Sequence, residues 1–336
     1  MTDRSINSNR RRVLQAGAGV AALAATGLSM RPALAQGDYP NRPITFICPW
    51  PAGGTADATM RVLTRVASQL LGQPIVFENR AGASGMIGAR AIATAQPDGY
   101  TIGQLPISIT RFSQLGTVPF DPLKNFTYIA RTSGQTFGMV VRPDSPYKTL
   151  ADLVAAAKAN PGKISYATAG IAGATHVGME EFCMAAGIKM NHVPYKGGAP
   201  ALMDTLAGMV DVLADSSSWA PHVAQGKLRL LATWGEQRPA RFKNAPTLKN
   251  AGYDVVVDAP NGIGAPAGLP PEIVAKLGDA FRKAVMSPQF KEACDKIDAP
   301  LMYLNGEDYR KYVLSQYVRD KRLIDKLNLR EQLRGG

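Results

Sequence analysis

Cysteine is scarce: Cys48, Cys183 and Cys294 in 336 residues allow at most one disulfide, and none stands at CxxC spacing. A disulfide-stapled scaffold and a thiol-ligated metal centre are therefore excluded, and buried free thiols are the expected state. Histidine is equally sparse, and His176, His192 and His222 lack the cysteine or carboxylate spacing of a metal site. The chain contains no HExxH, no GxSxG elbow and no GK[ST] ending of a phosphate loop. Gly17-Ala18-Gly19-Val20-Ala21-Ala22 imitates a dinucleotide fingerprint, but no strand precedes it. No cofactor and no metal are expected. Past the N-terminal region no stretch reaches about 18 uninterrupted apolar residues, which argues for a mature chain without a membrane span.

What is present is ordinary for a globular protein: 46% apolar, 19% charged and 7% aromatic residues, which excludes disordered and fibrous classes. Lys and Arg number 38 against 26 Asp and Glu, a surplus of twelve. Five of those cations and one acid fall in the first 35 residues, leaving 33 against 25 beyond them. A moderately basic chain favours anionic partners without reaching the cation density of a nucleic-acid binder.

The first 35 residues read as an export signal. A polar, Arg-rich start containing Asn9-Arg10-Arg11-Arg12-Val13-Leu14-Gln15 precedes a weakly apolar run, which ends at Ala33-Leu34-Ala35. The pattern resembles a twin-arginine signal cleaved before Gln36, and it implies a periplasmic protein. The interrupting Gln15, Gly17, Gly19, Thr26 and Gly27 argue against a transmembrane anchor.

Beyond the signal, apolar runs of strand length alternate with helical patterns. Strands are expected at 44–48, 75–78 and 100–105, with helices at 56–71 and 85–95 between them. A second series follows: helix 149–159, opened by a Thr149…Asp152 capping box, strand 164–168, helix 174–186 and strand 191–193. Helix 199–207 and strands 210–214 and 228–233 complete it, and the tail carries helices at 271–285, 288–297 and 307–327. Two α/β units, each with a parallel sheet, are expected.

Three strand-to-helix loops share one chemistry. The first runs from Pro49 through Trp50, Pro51, Ala52, Gly53, Gly54 and Thr55 to Asp57. The second contains Thr168, Gly170, Thr175 and His176, and the third Lys196 and Gly197. Each leads into a helix N-terminus, where glycine admits close approach and unbonded amides favour an anion. Such loops lie at the edge of an open α/β sheet where ligands bind. The alternative is that glycine merely ends each strand. His176 reads either as a ligand contact or as a structural histidine. Asp215-Ser216-Ser217-Ser218 follows a strand end, and its hydroxyls suit a polar ligand or a helix cap. Trp50 and Trp219 suit stacking on a flat ligand or plain packing. Arg111, after strand-like 107–110 with Ser108, suits a carboxylate or an exposed position without a partner.

With these residues in view, the chain resembles the Bug-type, or TctC-like, extracytoplasmic solute-binding proteins of tripartite tricarboxylate transporters. The likeness runs through Tyr39-Pro40-Asn41-Arg42-Pro43-Ile44, the 49–57 loop and Glu78-Asn79-Arg80-Ala81-Gly82-Ala83-Ser84-Gly85. It continues through Pro97-Asp98-Gly99-Tyr100-Thr101, Phe120-Asp121-Pro122-Leu123-Lys124-Asn125-Phe126 and His192-Val193-Pro194-Tyr195-Lys196-Gly197. Trp50 stands where phenylalanine is expected, Ala172 where glycine is common, and Ser216 to Ser218 are more polar than in many relatives.

The resemblance implies a type II periplasmic-binding fold, with two α/β domains, a hinge of crossing strands and a central cleft. It divides the chain into a first domain of 36–140 and 236–336 and a second of 141–235. It implies a monomer that captures a small organic acid, a dicarboxylate or an aromatic acid, for membrane permease subunits, without catalysis and without nucleic acid. The first loop, Ser84 and Gly85 would hold a carboxylate from one domain; Thr168, Thr175, His176 and the Asp215 loop would close from the other. The competing functions are an exported enzyme using Asp57, His176 and Asp215 across a cleft, and a sensing module docking on a membrane sensor.

Overall fold

The computed structural model describes residues 39–257 and 259–335, so the expected export signal lies outside the described residues. From Arg42 onward the chain packs as one compact unit. In chain order its elements are β1 (Ile44–Cys48), α1 (Thr55–Leu71), β2 (Ile75–Asn79), α2 (Met86–Ala93), β3 (Thr101–Leu105), α3 (Ile109–Leu115), β4 (Phe126–Ser133) and β5 (Phe137–Val141). There follow α4 (Leu150–Ala159), β6 (Ser165–Thr168), α5 (Ala174–Ala186), β7 (Asn191–Pro194), α6 (Gly198–Leu206), β8 (Val212–Ser216), α7 (Ala220–Ala224) and β9 (Arg229–Thr233). The last are β10 (Asn261–Pro266), α8 (Pro271–Met286), α9 (Pro288–Asp295), β11 (Leu301–Asn305), α10 (Gly306–Lys326) and α11 (Leu329–Gly335).

The strands form two sheets, ordered β11-β4-β10-β3-β1-β2 and β7-β6-β8-β5-β9. Each sheet with its helices is one lobe. The lobes are joined where β4 of the first sheet runs into β5 of the second, and where β9 of the second leads back to β10 of the first. Neither sheet is purely parallel. In the first, β1 pairs in parallel with β2 and β3, but β10 lies antiparallel between β3 and β4. In the second, β6 is parallel to β7 and β8, while β5 is antiparallel to β8 and β9. The expectation of parallel sheets fails because each inter-lobe strand enters its sheet from the other lobe, against the βαβ direction.

Most helices follow their sequence signals. Thr149 accepts from the Asp152 amide while the Asp152 side chain takes the Thr149 amide, completing the capping box of α4. Gly72 and Gly187 end α1 and α5 in left-handed geometry. One segment departs. The strand-like 107–110 is a turn entering α3, because Pro106 ends β3 and the Ile109 and Thr110 amides bond back to Pro106 and Ile107. Strand β8 also runs two residues later than 210–214, so Asp215 and Ser216 are strand residues, not loop residues. All three cysteines are free and buried.

Candidate functional site

Between the lobes lies a cavity whose non-atom space, open mouth included, is about 690 Å3. Its wall is built from strand ends and helix starts of both lobes. The first lobe contributes Trp50, Pro51, Gly54, Thr55 and Ala56 at the start of α1, Gln104 within β3, and Pro106, Ile107 and Ser108 after it. The second contributes Ala169, Gly173, Ala174 and Thr175 at the start of α5, Gly198 at the start of α6, and Asp215 and Ser216. Gln135, Phe137, Ala259 and Pro260 complete it from the two inter-lobe connections.

Gly54 and Gly173 occupy the N-cap positions of α1 and α5, and neither helix has a side-chain cap. The first-turn amides of two helices, one from each lobe, are thus left for water or a ligand at one cavity. The Trp50 indole Nε1 is buried and has no hydrogen-bond partner among the described residues.

The first loop is held from behind. Asp57 accepts from the Gly53 amide at 3.1 Å, Arg61 Nε at 2.9 Å and Asn79 Nδ2 at 2.8 Å. Asn79 Nδ2 also reaches the Trp50 carbonyl at 2.9 Å. Burial raises the Asp57 pKa, but the bonds from Arg61, Asn79 and Gly53 outweigh it and hold the carboxyl below its ordinary value. Asp57 therefore orders the loop and does not line the cavity. Ala52 and Gly53 are exposed on the loop's outer turn.

Several residues singled out in the sequence join the lobes, of which Ser84, Gly170 and Gly197 stand outside the cavity lining. Ser84 Oγ donates to the Ile171 carbonyl at 2.8 Å, and Gly170 lies against Ser84 so closely that a Cβ would come within 2.4 Å of Oγ. Gly197 lies against Pro51, where a Cβ would stand 2.4 Å from Cδ. Both glycines have positive φ, +140° and +119°, so each meets a steric and a backbone requirement. Ser216 Oγ donates to Thr55 Oγ1 at 2.9 Å, a second hydrogen bond between the lobes. Gly85 packs behind Trp50 and Pro106.

Arg111 is neither exposed nor in the cavity. It is 6% exposed, pairs with Asp320 through Nε at 3.1 Å and Nη2 at 2.7 Å, and donates from Nη1 to the Ala172 carbonyl at 2.8 Å. Lys196 is exposed and outside the lining. Of the serines, Ser216 makes no cap bond, and Ser218 Oγ donates instead to Asp215 Oδ2 at 2.7 Å.

His176 lies beneath the second loop, 2% exposed, and its Nδ1 accepts from the Ala172 amide at 3.0 Å. It stacks on His192 with ring centroids 4.0 Å apart, and Thr168 Oγ1 lies 2.7 Å from His192 Nε2. Burial, with help from His192 and Arg111, depresses His176 to about 3, and burial depresses His192 to about 4. Asp57, His176 and Asp215 are not brought together, since Asp215 alone of the three lines the cavity.

The histidine pair sets an acid limit on stability. Unfolding below pH 6.5 lets each histidine take up a proton that the folded chain refuses, so stability falls as pH drops towards 4, by about 1.4 kcal/mol per pH unit for each. Asp215 works in the opposite sense. Burial outweighs its bonds from Ser218 and Ser216 and raises it to about 6, so between pH 6 and 4 it binds a proton that the unfolded chain does not. Asp215→Asn is therefore expected to steepen the fall of the urea midpoint between pH 6 and 4.5. An unchanged slope would refute this assignment.

Gln104, Gln135, Phe137 and Pro260 were not legible as site residues. Phe137 opens a continuous apolar run, Phe137-Gly138-Met139-Val140-Val141, that could have been read as a strand. Asn261-Gly262-Ile263-Gly264-Ala265-Pro266 carries no strand signal, yet Asn261 organises the cavity floor. Its Oδ1 accepts from Gln104 at 2.7 Å and from Gln135 at 3.0 Å, and its Nδ2 donates to Ser133 Oγ at 3.0 Å.

Two α/β lobes joined by two crossings, with a cavity of helix starts between them, define a solute-binding protein of the periplasmic type. The description "tripartite tricarboxylate transporter family receptor" matches residues 59–329, and the chain belongs to that family. A Cupriavidus necator protein named for the gbd 5' region is 43% identical over 95% of this chain and 98% of its own. The structure of the periplasmic binding protein BugD is similar at 30% identity, with a TM-score of 0.82 over 87% of this chain and 99% of that one. R. palustris Rpa4515 with adipate is similar at 28% identity and a TM-score of 0.82, over 86% and 98%.

Proposed function

We infer that this chain captures a small organic carboxylate, a dicarboxylate foremost, in the inter-lobe cavity and presents it to the permease subunits of a tripartite tricarboxylate transporter. It does so in the periplasm, as a monomer, and releases the acid unchanged. The observation that carries this reading is the convergence of two uncapped helix starts, one from each lobe, on one cavity. Backbone amides at those starts complement a carboxylate without a lysine or arginine. The adipate held by a similar protein supports the ligand class. The reading divides the chain into a first domain of 36–140 with 236–336 and a second of 141–235, although the boundary strand β5 (Phe137–Val141) pairs in the second sheet. Trp50, Gly54, Thr55, Ser108, Thr175 and Ser216 are its contacts.

Calorimetry with adipate and with its monoamide and diamide tests the reading. A hydrogen bond to a charged group contributes about 1.5–3 kcal/mol, so each carboxylate lost is expected to weaken binding roughly tenfold to a hundredfold. Adipate recovered unaltered after prolonged incubation is the second expected result. Equal affinity for acid and diamide, or conversion of adipate, would overturn the reading.

A further inference from the structure

Asp215 is the one charged side chain among the described residues lining the cavity. It is 3% exposed, it accepts from Ser218 Oγ at 2.7 Å, and α6 begins against it, a Cβ on Gly198 falling 2.2 Å from Oδ2. Among the described residues no lysine, arginine or histidine shares the lining. The titratable groups on the surrounding elements are engaged elsewhere. Arg111 is paired with Asp320, and His176 and His192 are bonded to the Ala172 amide and to Thr168. Asp57 holds the first loop, Asp204 accepts from Tyr195, and Lys196 is exposed.

A dicarboxylate enclosed here would bring two more negative charges beside Asp215 with no cation to offset them. Helix starts compensate one carboxylate; a second one facing an ionised Asp215 in a poorly solvated space is repelled. Two acid groups in that position are stable when they share one proton.

We propose that this receptor takes up its dicarboxylate together with one proton, which bridges Asp215 and the distal carboxyl group of the ligand. The proposal rests on the carboxylate reading above. The proton comes from solvent, one O–H···O bond forms, and no other bond changes. Burial already lifts Asp215 to about 6 in the free protein, so half the free molecules carry this proton near that pH. The complex holds it to higher pH than the free protein. Affinity is therefore full below about pH 6 and falls above it by up to tenfold per unit.

The experiment is calorimetric titration with adipate at pH 6, 7 and 8, in phosphate and in Tris, whose ionisation heats differ. Close to one proton taken up per adipate at pH 8 is expected, with an affinity loss approaching tenfold from pH 7 to 8. Asp215→Asn, which keeps a donor without a charge, is expected to bind at pH 8 within a few-fold of the wild type at pH 6. It should show no proton uptake and no pH slope. Adipate binding by the wild type without proton uptake, or a slope that persists in Asp215→Asn, would overturn the proposal and leave the receptor reading standing. No binding at any pH across the linear dicarboxylates from three to eight carbons would overturn both.

Discussion

Arg111→Met is expected to lower folding stability by about 3–5 kcal/mol, while Arg111→Met combined with Asp320→Leu costs distinctly less. The reason is the asymmetry of buried charge. Asp320 is 3% exposed and takes two bonds from Arg111. Removing the cation alone leaves a carboxylate in the interior that keeps, among the described residues, the bond from Thr110 Oγ1. Breaking a buried pair from one side costs more than replacing both partners with apolar groups. In the double variant Thr110 Oγ1 can give its single proton to the Ile107 carbonyl, 2.7 Å away. Urea midpoints of the two single variants and the double variant measure the difference. A double variant as unstable as Arg111→Met would show that the stranded charge is not the cause. Arg111 also reaches the Ala172 carbonyl of the other lobe, a bond lost equally in both variants.

Gly54→Val is expected to reduce adipate affinity by more than about a hundredfold with folding stability nearly unchanged, whereas Asp57→Asn should show the reverse pattern. Gly54 has φ −80° and ψ 170°, extended backbone open to any residue, and the nearest atom to a Cβ there is Pro51 O at 3.6 Å. The fold therefore tolerates the side chain. The cavity does not, because Gly54 lines it at the start of α1, where a branched group keeps a carboxylate off the first-turn amides. Asp57 lies behind that wall, bonded to Gly53, Arg61 and Asn79. Neutralising it weakens bonds worth about 1–3 kcal/mol to the loop but leaves every lining group in place, so affinity should fall only a few-fold. Calorimetry and urea denaturation on both variants decide the matter. An affinity loss larger in Asp57→Asn than in Gly54→Val would move the anion site away from α1.

The alternation of strands and helices from Ile44 to Leu105 and from Leu150 to Thr233 was legible because each element carries its own period and stop signal. The three glycine loops were legible for the same reason. What escaped was built by partners far apart in the chain. Arg111 gave no sign of Asp320, 209 positions away, and the 107–110 run looked extended because Ile-Ser-Ile-Thr satisfies a strand pattern as readily as a helix start. Strand β10 escaped because Gly262, Gly264 and Pro266 disfavour a strand locally, and pairing with β3 and β4 on either side overrides that preference. His176 and Ser84 were expected as ligand contacts, yet neither lines the cavity; whether a side chain turns into a cavity or across to a neighbour depends on atoms that no linear pattern specifies.

The two helix starts carry a consequence for how such a receptor changes its diet. The groups offered to the anion there are peptide amides, which every residue except proline possesses, so substitutions that leave the approach open keep that chemistry largely untouched. Other parts of the wall are made of side chains: Trp50, Gln104, Gln135, Phe137 and Asp215. Divergence among copies of such a chain can therefore rewrite which acid is accepted while acidity itself stays the common requirement, much as a plug keeps its pins while its housing changes shape.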